Sequence, residues 1–341
     1  MNPAIVTTLR GARDTLESFI RHHQALGFER IYLFFDDPCD TSIEIAARFA
    51  GVVSILHDER LRRSWQTSRL GLLNFVEREV MARQALNAEQ ALQLALADGV
   101  SWLLHIDADE LFMPMGTDLR SHFDELSRSG VDAVRYFNLE AVPEHAHACD
   151  CFRELTLFKV NAEFQPGRRF SEPQRRLLQA TERYRERFFS SYANGKGAAR
   201  VAAGLLPDYV HGFRAHAGPT RTAVGAGVIL HYPAHSFEQF WSKYQLLGRF
   251  EDRWFGHAEI RSAVGGFHLA ARDVVAQGDR ALALDFYRKQ VVLEDEQLVE
   301  QFTRQGLLRR ISDPALRLSA PSGGERDCSL PSTARAAGSA P

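Results

Sequence analysis

Little in this 341-residue chain is present in excess. It has only 4 cysteines, at no zinc-finger spacing, so neither a disulfide scaffold nor a structural zinc module is expected. It lacks charge of one sign: 41 Lys+Arg against 43 Asp+Glu leave −2, which argues against a nucleic-acid partner. No run approaches about 18 consecutive apolar residues, so no integral membrane segment is expected. The opening Met1-Asn-Pro-Ala-Ile-Val-Thr-Thr-Leu9 is too short and uncharged for a secretory signal, which makes the cytoplasm the expected compartment. There is no Gly-x-x-x-x-Gly-Lys-Ser/Thr loop, and no Gly-x-Gly-x-x-Gly turn follows the first apolar segment. Both absences count against ATPases and dehydrogenases. No internal repeat is visible.

What is present is a regular alternation. Strands are expected at Ile5–Leu9, Arg30–Phe35, Val52–Leu56, Ser101–Ile106 and Val131–Phe137. Helices are expected after the first strand up to Gly27, at Thr41–Ala50, from about Leu72 to Ala97, and at Asp118–Ser129. Strand–helix alternation of this kind predicts an α/β fold with a mostly parallel central sheet flanked by helices. The second half is less regular. It reads as strands at Glu154–Val160 and Gly225–Tyr232 and helices at Ser236–Leu247 and Asp279–Gln305. A basic stretch, Arg168–Arg187, reads as a solvated helix with internal ion pairs. The aromatic residues Phe237, Phe240, Trp241 and Tyr244, at helical spacing, read as core. From Ser312 onward Ser, Pro, Ala and Gly dominate, and residues 312–341 are expected to be a disordered tail.

Ligands in such sheets bind beyond the carboxyl ends of the strands. The sharpest signal falls there: Trp102-Leu-Leu-His-Ile-Asp107-Ala-Asp109-Glu110. In an extended segment residues i and i+2 point the same way, so Asp107 and Asp109 can converge on one object. Two carboxylates suit Mg²⁺ or Mn²⁺ when phosphate oxygens and water complete the shell. Asp36 and Asp37 follow the second strand in the same way. Arg83 and Asn87 share one face of the long helix, with Gln84 beside them. Lys196 lies between two glycines that allow close backbone approach. His211 is a candidate third metal ligand, with His216 and His231 as rivals.

These blocks resemble the GT-A nucleotide-sugar glycosyltransferases, and within them the family 2 and family 92-like group. The resemblance is carried by His22–Asp37 (HHQALGFERIYLFFDD), by Trp102–Phe112, by Ser190–Val201, by Tyr209–Phe213 and by Ile229–Tyr244, over roughly residues 4–295. It implies a GT-A fold with a C-terminal helical extension. The catalytic domain would span 1–235, divided into a nucleotide-binding half (1–115) and an acceptor half (116–235), with the extension at 236–311. It also implies that Asp107 and Asp109 hold the donor diphosphate through Mn²⁺ or Mg²⁺, with His211 completing the metal shell. Asp36 and Asp37 would contact the nucleoside, and Arg10, Arg83, Gln84, Asn87 and Lys196 would line the donor. The partners implied are a nucleotide-sugar donor, UDP-sugar favoured, and a glycan or other hydroxyl acceptor.

Inverting transfer needs a base to take the acceptor's proton. Glu140, just past the fifth expected strand, is the first candidate, with Asp208 and Asp252 as alternatives. The expected function is therefore a metal-dependent, inverting glycosyltransferase. A Mg²⁺-dependent nucleotidyl- or phosphotransferase and a non-catalytic nucleotide-sugar-binding protein are the other classes consistent with an Asp-x-Asp at a strand end.

Overall fold

The structure, a computed structural model, describes residues 1–160, 162–181, 188, 194–247, 253–255, 258–259 and 262–319. The strands in chain order are β1 (Pro3–Leu9), β2 (Arg30–Phe35), β3 (Val52–Leu56), β4 (Trp102–His105), β5 (Glu110–Pro114), β6 (Ala133–Ala141) and β7 (Leu157–Lys159). They continue with β8 (Lys196–Arg200), β9 (Leu205–Asp208), β10 (Gly212–Ala215), β11 (Thr222–His231), β12 (Arg253–Trp254), β13 (Ala258–Glu259) and β14 (Leu308–Arg310). Ten of them form one sheet with the path β14-β7-β6-β8-β4-β1-β2-β3, and β11 pairs with both β5 and β6. Strands β1, β2, β3, β4, β6, β11 and β14 run one way; β5, β7 and β8 run against them. The fold is thus mixed α/β with a central, largely parallel sheet, as expected.

The inner strands are apolar on both faces because both faces are covered. Ile5, Ile31, Leu33, Phe35, Trp102 and Leu104 point into one core, under the helices Leu16–Leu26 and Leu119–Arg128. Ala4, Val6, Tyr32, Phe34 and Leu103 point into the other, under the helix Val80–Ala97. That helix lays a stripe of small residues, Ala82, Ala85, Ala88, Ala91 and Ala95, against the sheet, all 0% exposed. A third core gathers Phe237, Phe240, Trp241 and Tyr244 with Ala271, Ala283 and Tyr287, so the aromatic face of Phe237–Leu247 is packing surface. Among the described residues no helix is long and apolar enough to cross a membrane.

Several elements differ from the sequence reading. The long helix begins at Val80, after a separate 3-10 turn at Leu73–Phe75. The Thr41–Ala50 helix shrinks to Ile43–Ala46. Residues Cys151–Glu154 are helical, because Asp150 caps the Phe152 N–H, and only Leu157–Lys159 extend. The helix expected at Asp279–Gln305 is two, Arg280–Gln290 and Glu296–Arg304. Val291, Val292 and Leu293 are buried between them, and Asp279 and Asp295 each cap a fresh N-terminus. The C-terminal segment does not stay helical: β14 adds to β7 at the sheet edge. Beyond Ser312, where a disordered tail was expected, Asp313–Leu318 is a helix that buries Pro314 and Leu318. Residues 320–341 lie outside the described residues. Within the basic stretch, Glu172–Ala180 is a helix with Arg175 and Arg176 paired to Glu172.

Candidate functional site

The carboxyl ends of the parallel strands, where such sheets form their crevice, gather charged side chains. Asp36 follows β2, His57 follows β3, Asp107 and Asp109 follow β4, Glu140 sits near the end of β6 and His231 ends β11. After β4, Asp107 and Asp109 are partly accessible, with side chains 29% and 24% exposed.

Each of the two carboxylates has its own lysine. Lys196 Nζ donates to Asp107 Oδ2 at 2.7 Å, and Gln84 Nε2 donates to Asp107 Oδ1 at 2.7 Å. Lys243 Nζ donates to Asp109 Oδ2 and to the Pro233 carbonyl, both at 2.9 Å. His231 Nε2 lies 4.0 Å from Asp109 Oδ1. Burial alone would raise both acids, but Lys196 beside Asp107 and Lys243 beside Asp109 outweigh it and hold them below the usual carboxylate range. Both aspartates are therefore anions. Glu110 behaves differently. It is 1% exposed, accepts the Asp107 N–H at 2.8 Å, and is lifted by burial to about 8 against the pull of Lys196, with Asp107 and Asp109 adding to the rise.

The glycines around Lys196 have the role expected of them. Gly195 has φ +62°, and a Cβ there would sit 1.9 Å from the Tyr136 carbonyl oxygen. A Cβ on Gly197 would sit 2.8 Å from Gly212 Cα. Only glycines let β8, between β6 and β4 in the sheet, lie this close to the β6 backbone and to the β9–β10 hairpin with Lys196 paired to Asp107. Lys196 itself is 1% exposed, so its ammonium serves Asp107 and Glu110 from inside. His211 Nδ1 donates to the Gly195 carbonyl at 3.1 Å. Burial depresses its pKa despite the nearby Asp107.

The other expected residues divide. Arg83 grips Asp36 with two bonds, Nε to Oδ1 at 2.5 Å and Nη2 to Oδ2 at 2.7 Å, while Nη1 reaches the Val76 carbonyl. His57 Nδ1 stands 3.6 Å from the same Oδ1. Asp36 is thus a buried ion-pair partner, and Asp37, 36% exposed, is the accessible acid of the pair. Arg10 reaches Asp37 at 3.3 Å on the surface. Asn87 is 2% exposed and donates to Thr8 Oγ1, so it ties helix to sheet instead of facing a ligand. Glu140 accepts from Lys159 Nζ at 2.8 Å. Burial would raise it, but Lys159 and His231 hold it ionised. Asp208 is exposed at the end of β9. Asp252 lies outside the described residues. Lys243 was not singled out from the sequence. Its signal is a lone cation on a helix whose other face is aromatic.

Among the described residues no three His, Cys, Asp or Glu side chains come together as a metal-holding group, so Asp107, Asp109 and His211 are not gathered into one. Two accessible carboxylates remain. They fit Mg²⁺ or Mn²⁺ only in the mode in which phosphate oxygens and water supply the other ligands.

No family profile matches the chain. Two Arabidopsis thaliana proteins described as glycosyltransferase-like are each 27% identical to it, over 322 and 323 residues. Each match covers 90% of this chain, and 69% and 61% of the relatives respectively. Among solved structures, core-mannan synthase A of Aspergillus fumigatus in its Mn/GDP form aligns at 12% identity with a TM-score of 0.28, over 42% of this chain and 44% of that one. A mannosyltransferase of S. cerevisiae in complex with GDP aligns at 11% identity with a TM-score of 0.27, over 42% of each chain. The fold is mixed α/β with a central, largely parallel sheet, and acidic side chains gather at the carboxyl ends of its strands. Along nine-tenths of its length it is a distant relative of glycosyltransferase-like proteins.

Proposed function

We propose that this chain is a GT-A glycosyltransferase that moves a sugar from a nucleoside-diphosphate donor, UDP-sugar favoured, to an acceptor hydroxyl. The observation that carries this reading is the accessible pair Asp107 and Asp109 at the end of β4, both held as anions and flanked by Gln84, Lys196 and Lys243. The glycosyltransferase-like relatives support it. A divalent ion bound there would neutralise charge on the departing diphosphate. The chain's own residues do the rest. Gln84 and Lys196 fix the Asp107 carboxylate in one orientation. Asp37, the exposed acid after β2, meets the nucleoside. Glu140, ionised beside Lys159, takes the acceptor's proton during an inverting displacement, and Asp208 is the second candidate for that role.

The test is a panel of nucleotide sugars, with ATP alongside, incubated with the chain and Mn²⁺ or Mg²⁺. The reading expects slow release of a nucleoside diphosphate from one sugar nucleotide. Turnover of ATP alone would favour a phosphotransferase, and nucleotide binding without turnover would leave a binding protein on this scaffold.

A further inference from the structure

Only three non-glycine residues among those described have a left-handed φ: Arg168 at 55°, Tyr209 at 52° and Phe255 at 51°. Two of the three meet. The rings of Tyr209 and Phe255 lie 5.5 Å apart with a 40° tilt, and Phe75 abuts Phe255 edge-on at 5.5 Å. An aromatic residue at positive φ is strained and persists only where its surroundings impose it. Here they do. The Phe255 N–H donates to Glu79 Oε1 at 2.6 Å, which anchors that ring at the N-terminus of the long helix. Tyr209 occupies the tight turn between β9 and β10, and β9 packs on the same helix. Yet Tyr209 remains 52% exposed.

The two strained residues hold an aromatic shelf open to solvent, and its location says what it faces. Glu79 is one helical turn before Arg83, which grips Asp36, and Gln84, which holds Asp107. On the other side, Tyr209 is two residues from His211, whose ring meets the carbonyl of Gly195, next to Lys196. The shelf thus lies by the N-terminus of the long helix, beside the residues that hold Asp36 and Asp107.

We infer that Tyr209 and Phe255 form a stacking shelf for the flat base of the nucleotide whose diphosphate lies at Asp107 and Asp109. This rests on the reading that the edge binds a nucleoside diphosphate. Stacking on a ring tolerates different bases, because each has a π-face. The shelf adds affinity for any base and leaves the choice of base to other contacts.

The experiment is calorimetry on the full chain with Mn²⁺ present, using UDP and inorganic pyrophosphate as probes. Tyr209→Gly removes the ring and also relieves the backbone, so it keeps or raises the melting temperature. It is expected to weaken UDP binding about tenfold and leave pyrophosphate binding unchanged, while Tyr209→Phe keeps UDP binding within about twofold. Unchanged UDP affinity in Tyr209→Gly, or an equal loss for both probes, would overturn the shelf. So would wild-type chain that binds pyrophosphate as tightly as UDP, with the diphosphate reading intact. Wild-type chain that binds neither probe overturns both. Resonances of the Tyr209 ring that move with methyl pyranosides and not with UDP would assign the shelf to a sugar ring and overturn the base.

Discussion

Lys196 Nζ lies 2.7 Å from Asp107 Oδ2 and 3.7 Å from Glu110 Oε2, and the lysine side chain is 2% exposed. It is the internal counter-charge of the acidic edge. Expected from the sequence as a donor ligand, it lies buried and paired with Asp107 in the structure. Removing one partner of such a buried pair leaves the other uncompensated. Lys196→Met is therefore expected to lower folding stability by about 3 kcal/mol, read from urea denaturation. A loss of affinity for nucleotide with no change in stability would instead make Lys196 a direct ligand.

The β8 backbone is equally constrained. Gly195→Ala puts a Cβ 1.9 Å from the Tyr136 carbonyl oxygen at a φ of +62°. The strand must shift, and with it Lys196 and the carbonyl that meets His211. The expected cost is at least about 2 kcal/mol, seen as a lower urea midpoint. Gly11→Ala is the control. Its φ of +67° is similar, but no atom lies within 4 Å, so it carries the conformational cost without the clash.

Stability should fall with acidification through a buried histidine of the helix Leu16–Leu26. His22 is 1% exposed, its Nε2 lies 2.9 Å from the Phe112 carbonyl, and burial lowers its pKa from 6.5 to about 4. A histidine held neutral in the fold binds its proton more readily when unfolded. Its contribution is complete above pH 6.5 and is lost as the pH falls from 6.5 towards 4. The full loss is about 3 kcal/mol, from a gap of about 2.5 pH units. His22→Gln keeps a donor for Phe112 and removes the titration. The variant's stability should change less than wild type's between pH 7 and pH 4.5, measured by urea midpoints. Identical slopes would show that His22 is not held neutral.

Glu140→Gln tests the proposed base. The amide keeps its contact with Lys159 and cannot accept the proton. Release of UDP from the active sugar nucleotide should slow by about 100-fold, with UDP affinity unchanged by calorimetry. An undiminished rate would pass the role to another group, Asp208 first.

Much of this was legible in the sequence because the first third of the chain is built around buried strands. β2 and β3 appear with the bounds read from their apolar runs, and the carboxylates fall at the strand ends where βα topology puts them. The β8 strand was not legible. Lys-Gly-Ala-Ala-Arg has no hydrophobic run, and it pairs only because its small residues let neighbouring backbones approach. β5 was hidden for a different reason: it follows Asp109 directly and extends only because β11, over a hundred residues later, pairs with it. The split at Val291–Asp295 was masked by helix-favouring residues on both sides. The ion-pairing at the edge was the least legible, since no local pattern tells Lys243 that Asp109 is its partner.

The central claim is that the anionic pair Asp107 and Asp109 binds a nucleoside diphosphate together with a divalent ion. Calorimetric titration of UDP with and without Mn²⁺, on wild type, Asp107→Asn and Asp109→Asn, tests it most directly. The account predicts binding that requires Mn²⁺ in wild type and disappears in both variants while each remains folded. Binding of UDP that is indifferent to Mn²⁺ and survives both substitutions would contradict it.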